Sequence, residues 1–231
     1  VTTSSLIPSP STSPEFASAF LFPAFKYVPK IPIATTSASE TTSLDTFARA
    51  LLLPRELHPA HPDLPEAQKS AMTRSPELAS QFPEILDIKQ SPTILICGHG
   101  GRDKRCGIMQ PVLQAEFERV LRRKGFTTTG DENNNSTVDG PSHANIAAIS
   151  HIGGHKYAGN VIIYIPPGLT ATSPSLSEKA PASPLAGKGI WYGRVEPKHV
   201  EGIVEETIFK GNVVEDHFRG GIGMDGEIYR L

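Results

Sequence analysis

The residues able to do chemistry lie in two glycine-rich loops. The first, Cys97-Gly-His-Gly-Gly-Arg-Asp-Lys-Arg-Cys106, holds both cysteines of the chain. The second, His151-Ile-Gly-Gly-His155, offers two histidines. Two thiolates and two imidazoles make a complete donor set for a zinc ion. They suit equally a 2Fe–2S cluster with one iron held by cysteines and the other by histidines, as in Rieske centres. Glycines let a loop fold tightly around a bulky object and turn backbone N–H groups inward. The cations Arg102, Lys104 and Arg105 offset the negative charge of thiolates and sulfide. A third chemistry is thiol–disulfide exchange between Cys97 and Cys106. Their spacing departs from the Cys-x-x-Cys of redox dithiols and from the short zinc knuckle.

Duller readings compete with these. Either cysteine could be an inert structural thiol, and either histidine a loop residue bonded to backbone. All failing together is less economical, because each pair occupies a glycine-rich loop with no other evident purpose. Within the first loop His99 reads as an outer or exposed residue. Arg102, Asp103 and Lys156 are candidates for the surroundings of the centre, with a surface salt-bridge set as the plain alternative. His143, His199 and His217 lack a partner pattern and read as solvated. His58 and His61 read as residues of a proline-rich loop.

The positioning elements follow from periodicity. Residues 1–19 are mostly Ser, Thr, Pro and Ala, the composition of a disordered tail or linker. Phe20 to Ile33 carries aromatics between prolines and reads as an extended segment pinned across a surface. Ser43 opens a short helix to about Leu53, with Leu44, Phe47, Ala48, Leu51 and Leu52 on one side. Residues 64–89 hold one more short helix, broken at Pro76 and Pro83. Thr93–Cys97 is a continuous apolar run, the pattern of a buried strand. Met109, Val112, Leu113, Phe117, Val120 and Leu121 repeat at helical spacing, and Gly125 ends that helix. Strands follow at 144–150, 160–165 and 190–195. Pro197 opens a closing helix with Val200, Ile203, Val204 and Ile208 on its face, and Gly211 ends it. Flexible insertions fall near 127–142 and 168–189. The expected fold is α/β and thioredoxin-like, a βαβ unit followed by a ββα unit, behind a proline-rich, partly disordered N-terminal extension. The expected division is an extension over 1–90 and a thioredoxin-like domain over 91–231. Cys97 and Cys106 bracket the first strand–helix junction.

Composition narrows the function. The 21 prolines and 20 glycines explain a hydrophobic share of only 38% and imply much loop. A net charge of −2 gives no reason to expect nucleic acid or an anionic membrane as partner. No apolar run approaches the roughly 20 residues that span a bilayer, so membrane insertion is not expected. Two cysteines cannot form a disulfide framework. The start at Val1 reads as that of a piece of a longer protein.

The motifs Cys97 to Cys106-Gly, His151-Ile-Gly-Gly-His155-Lys-Tyr-Ala-Gly-Asn160, Trp191-Tyr-Gly193 and Phe218-Arg-Gly220 resemble the sucrase/ferredoxin-like family, or thioredoxin-like ferredoxins. The resemblance covers roughly 92–223 and looks most like the fungal altered-inheritance-of-mitochondria branch. It implies a 2Fe–2S cluster ligated by Cys97, Cys106, His151 and His155. It further implies an electron carrier rather than an enzyme, an unidentified redox partner protein, and a mitochondrial location, with a cytoplasmic one as alternative. Proton uptake coupled to reduction would follow from an exposed imidazole N–H. No pair of carboxylates is placed for the glycoside hydrolysis that the name sucrase suggests.

Overall fold

The computed structural model describes residues 2–6, 16–33, 43–129, 138–150, 152–153, 157–170 and 182–230. They form two compact units. The smaller comprises 8–20 and 27–86, and the larger 1–7, 21–26 and 87–231.

In the smaller unit the extended segment is strands β1 (Phe16–Leu21) and β2 (Lys26–Pro32), which join β3 (Leu86–Asp87) in a three-stranded sheet ordered β1-β2-β3. Val28 and Ile31 are buried. The helix at Ser43 is α1 (Ser43–Phe47), which widens into a π-turn over Ala48–Leu52. The wider turn changes which side faces inward. Phe47 and Ala50 are buried, whereas Leu44 and Leu52 are exposed, against the expected face. Phe82 meets Phe47 edge-on with ring centroids 5.8 Å apart, within the range favoured by such pairs. α2 (Glu66–Met72) and a 3₁₀ turn at Pro76–Gln81 complete the unit.

The larger unit is built on β4 (Thr93–Cys97), α3 (Lys104–Arg123), β5 (Thr127–Thr128), β6 (His143–Ile149), β7 (Val161–Ile165), β8 (Lys188–Tyr192), α4 (Pro197–Ile203), β9 (Phe218–Gly223) and β10 (Ile228–Tyr229). The seven strands lie in the order β10-β9-β8-β7-β4-β6-β5. β4 runs parallel to β6 and antiparallel to β7, and β7 runs antiparallel to β8. The mixed α/β architecture is therefore the expected βαβ followed by ββα, with strands added at both edges.

Alternation decides the core. Ile94, Ile96, Val161, Ile163, Ile190 and Tyr192 share one sheet face with Leu113, Phe117 and Leu121 of α3 and Val200, Ile203 and Val204 of the closing helix. Burying each such aliphatic side chain contributes about 1.5–3 kcal/mol before entropy is counted. The closing helix also widens into a π-turn, Val204–Lys210, before Gly211 stops it at φ 72°. On the opposite sheet face Tyr164 stacks flat on Phe22 at 3.8 Å, with Phe25 edge-on. No helix among the described residues is long and apolar enough to cross a membrane.

Several segments are more ordered than their composition suggests. Ser4 bridges to Ile149, and Ser5 N donates to Ala148 O at 2.8 Å, so residues 2–6 are not tail. Residues 16–19 belong to β1. The insertion expected at 127–142 opens as β5 and closes on Asp139, whose carboxylate accepts from the backbone of Lys89, Gln90 and Ser91. At the second insertion Thr170 bridges to Ala182, and Leu185 is buried in the core.

Candidate functional site

Five strand ends converge on the cysteine loop's end of the sheet. Cys97 pairs with Ile149, while Ile96 pairs with Val161, Val161 with Tyr192, and Tyr192 with Phe218. Beyond the last paired residues, Cys97 N donates to Asn160 O at 3.0 Å and Gly98 N to Ile149 O at 3.0 Å. The loop then folds on itself: Arg102 N and Asp103 N both donate to His99 O. Asp103 caps α3, accepting from Arg105 N at 2.9 Å, and its buried carboxylate pairs with the Arg105 guanidinium. Arg102 is exposed and His99 is exposed.

Cys106 therefore sits in the first turn of α3, not before it. The loop can lie on that turn only because Gly100 faces Gly107. A Cβ on Gly107 would stand 2.7 Å from Gly100 Cα. Gly98 is confined by a side chain rather than by backbone, since its Cβ would meet Gln110 Cγ at 2.8 Å.

This packing brings the two sulfurs together despite their separation in sequence. Both cysteines are free and buried, and the Cys106 thiol is hydrogen-bonded to Cys97. Burial, then the Cys97 hydrogen bond and charge, then Asp103, push the Cys106 thiol up to about 12. The spacing argument against a dithiol thus fails on distance. Reactivity argues otherwise, because an attacking thiol needs a lowered pKa and access.

The second loop reaches the first through described residues. Ile152 N donates to Cys97 Sγ at 3.5 Å. Gly153 follows at φ 76°, and its Cβ position would touch Asn160 Oδ1 and Trp191 Cζ2, each at 3.0 Å. Gly159, at φ 90°, is pressed against the Val195 backbone, and Val195 N donates to Gly159 O. His151, His155 and Lys156 lie outside the described residues. Among the described residues no group of three or more His, Cys, Asp or Glu side chains converges.

Two buried donors beneath Gly153 have no acceptor among the described residues: Asn160 Nδ2 and Trp191 Nε1. An orphaned buried donor costs about 1–3 kcal/mol. Reading the sequence for ligands overlooked Ile152, Asn160 and Trp191 as parts of the site. The available signals were Asn160 as a polar residue entering an apolar strand and Trp191 as the chain's single tryptophan.

The remaining histidines are not solvated as expected. His143 is buried at the start of β6 and contacts Thr127 Oγ1 through Nδ1 at 3.1 Å. His199 and His217 are half-buried with ring centroids 4.2 Å apart. His58 behaves as a loop residue, its Nδ1 accepting from Ala60 N.

The family profile described as Sucrase/ferredoxin-like matches residues 1–220. The chain belongs to the sucrase/ferredoxin-like family. Among its relatives, Altered inheritance of mitochondria protein 32 of Meyerozyma guilliermondii is 34% identical over 182 residues, covering 78% of this chain and 51% of the relative. The protein of the same name from Debaryomyces hansenii is 39% identical over 129 residues, 56% of this chain and 35% of the relative. Actin patches distal protein 1 of Saccharomyces cerevisiae is 33% identical over 132 residues, 57% of this chain and 32% of the relative. The matches thus span about half or less of these relatives' lengths.

Proposed function

We propose that this protein is a one-electron carrier whose thioredoxin-like core holds a 2Fe–2S cluster between the two loops, on Cys97, Cys106, His151 and His155. The observation that carries the reading is the Ile152 N–H aimed at Cys97 Sγ. It brings Ile152, the neighbour of His151 in sequence, against a cysteine that is hydrogen-bonded to the second thiol.

The surroundings fit such a group. Glycines at 98, 100 and 107 keep the loop-to-helix junction thin. Asn160 Nδ2 and Trp191 Nε1 are buried donors without an acceptor among the described residues. Thiolate sulfurs accept hydrogen bonds in a zinc site as in a cluster, but a cluster adds bridging sulfides as further acceptors. This favours iron–sulfur over zinc. When bound, a cluster supplies reversible one-electron redox chemistry, at a potential raised by neutral histidine ligands. The protein's own residues hold the thiols apart from solvent and orient Cys97 through Ile152 N. Asp103, closing the first turn of α3 on Cys106, is paired with Arg105. A thiol oxidoreductase is disfavoured by the burial of both sulfurs and the high pKa of Cys106.

A redox protein is the proposed partner. Mitochondrial residence is proposed from the relatives' names, with the cytoplasm as alternative. Anaerobic purification tests the reading. A brown protein with about equal iron and sulfide supports it. A colourless protein with stoichiometric zinc replaces it by a structural zinc module, and His151→Ala or His155→Ala without effect on cofactor binding removes those ligands.

A further inference from the structure

The Phe218-Arg-Gly220 motif plays no part in the site as described, yet it stands at the same end of the sheet. Arg219 lies flat on the Tyr157 ring, its Cζ 3.2 Å from the centroid. Arg194 approaches the same ring at 5.2 Å. Tyr157 follows the histidine loop by two residues. The register Val161–Tyr192–Phe218 places these groups beside the strand that leads back to the loop.

Three observations set the pair of arginines apart. Both are exposed. Among the described residues neither enters an ion pair, unlike Arg105, Arg119, Arg123 and Lys124. Glu215 and Asp216 are exposed nearby in sequence without bridging to either guanidinium, and Glu196 is taken by Lys198. Third, Arg194 adopts φ 58°, the left-handed region in which glycine is at ease and a long side chain is not. Gly193 precedes it, so a glycine there was one position away. An exposed arginine held at positive φ, with no ion pair among the described residues, points to a role beyond folding.

We infer that Tyr157, Arg194 and Arg219 form a docking surface for an acidic protein partner. A guanidinium stacked on an aromatic ring keeps its N–H fork free at the edge, where it binds a carboxylate in two-point fashion. Tyr and Arg are the residue types enriched at protein interfaces. The two guanidiniums are exposed and come from separate elements, Arg194 after β8 and Arg219 in β9, which suits a broad carboxylate-bearing face. Arg102 and Lys104 on the cysteine loop add positive charge at the same sheet end. That the docked partner exchanges electrons rests on the cluster reading. The binding itself does not.

The test uses cofactor-free full chain and a ten-residue glutamate-rich peptide at low salt, read by Trp191 fluorescence. The expected result is saturable binding that weakens with added NaCl. Arg194→Gln with Arg219→Gln should weaken it about tenfold or more, and Arg119→Gln less than about twofold. Arg194→Gly should raise the thermal midpoint, by relieving the backbone, while weakening the peptide. That split separates docking from folding. Equal binding by the double variant and Arg119→Gln overturns the inference. So does displacement of the peptide by inorganic phosphate at equal ionic strength, which would mark a small-anion site. Neither result bears on the cluster, which the colour and iron content of the same preparation report.

Discussion

Replacing Asn160 by leucine should act unequally on the cofactor-free and cofactor-loaded protein. The Asn160 side chain is buried, and its Nδ2 finds no acceptor among the described residues. In the cofactor-free chain a leucine, branched at Cγ like asparagine but larger, removes an orphaned donor, relieving a penalty of about 1–3 kcal/mol that meets an overpacking cost of similar size. The backbone carbonyl that accepts from Cys97 N is retained. The cofactor-free variant should therefore be about as stable as the parent. For a chain of this size each 1 kcal/mol moves the melting temperature by about 2–4 °C. With the proposed cluster bound the amide would donate to a sulfur, so the same change should forfeit a hydrogen bond of about 0.5–1.5 kcal/mol. The bond strengthens as the acceptor gains negative charge. A differential near 1 kcal/mol corresponds to about 40 mV, since a tenfold shift in a one-electron equilibrium is about 59 mV. The reduction potential should fall by that order, and Trp191→Phe should lower it in the same sense. Calorimetry with and without iron, and an optical redox titration, measure both. An Asn160→Leu protein destabilised equally in both forms, at unchanged potential, would show that the amide has a purely structural role.

Other expectations follow from single contacts. Gly107→Ala must push Gly100 away from α3, so iron retention should drop at least tenfold even if circular dichroism is unchanged. Tyr192→Phe strands the Thr207 hydroxyl and Val214 N–H in the core, and should cost about 1–3 kcal/mol in urea titration without altering cofactor content. His199 is held below its usual pKa by burial, then by His217 and Lys198, and its Nδ1 accepts from Glu196 N. A lowered folded-state pKa means that this stability is present above about pH 6.5 and is lost as pH falls below it. The melting temperature should decline from pH 7.5 to 5, and His199→Asn should flatten that decline.

The order of strands and helices around the site was legible because its signals are local. Ile94 and Ile96, and Val161 and Ile163, sit in continuous apolar runs, and Val200, Ile203, Val204 and Ile208 mark one helical face that the structure buries. β9 carries three glycines and no alternation, so nothing but its pairing with β8 reveals it. The π-turns that rotate Leu52 outward have no residue signature. His143 is buried through β5, a strand of two threonines hidden in a polar stretch. Cys97 was visible as a strand end, yet its nearness to Cys106 depends on Gly100 seating against Gly107, a contact between backbones. Asn160 and Trp191 were read only as motif letters, because an unmet donor is a property of three-dimensional burial.

The central claim is that one iron–sulfur centre joins the two loops. Electron paramagnetic resonance of anaerobically purified, dithionite-reduced protein tests it most directly. The account predicts a single half-spin signal of a reduced 2Fe–2S centre that is lost in Cys97→Ser and altered in line shape by His155→Cys. A silent spectrum from protein carrying one equivalent of zinc would contradict it.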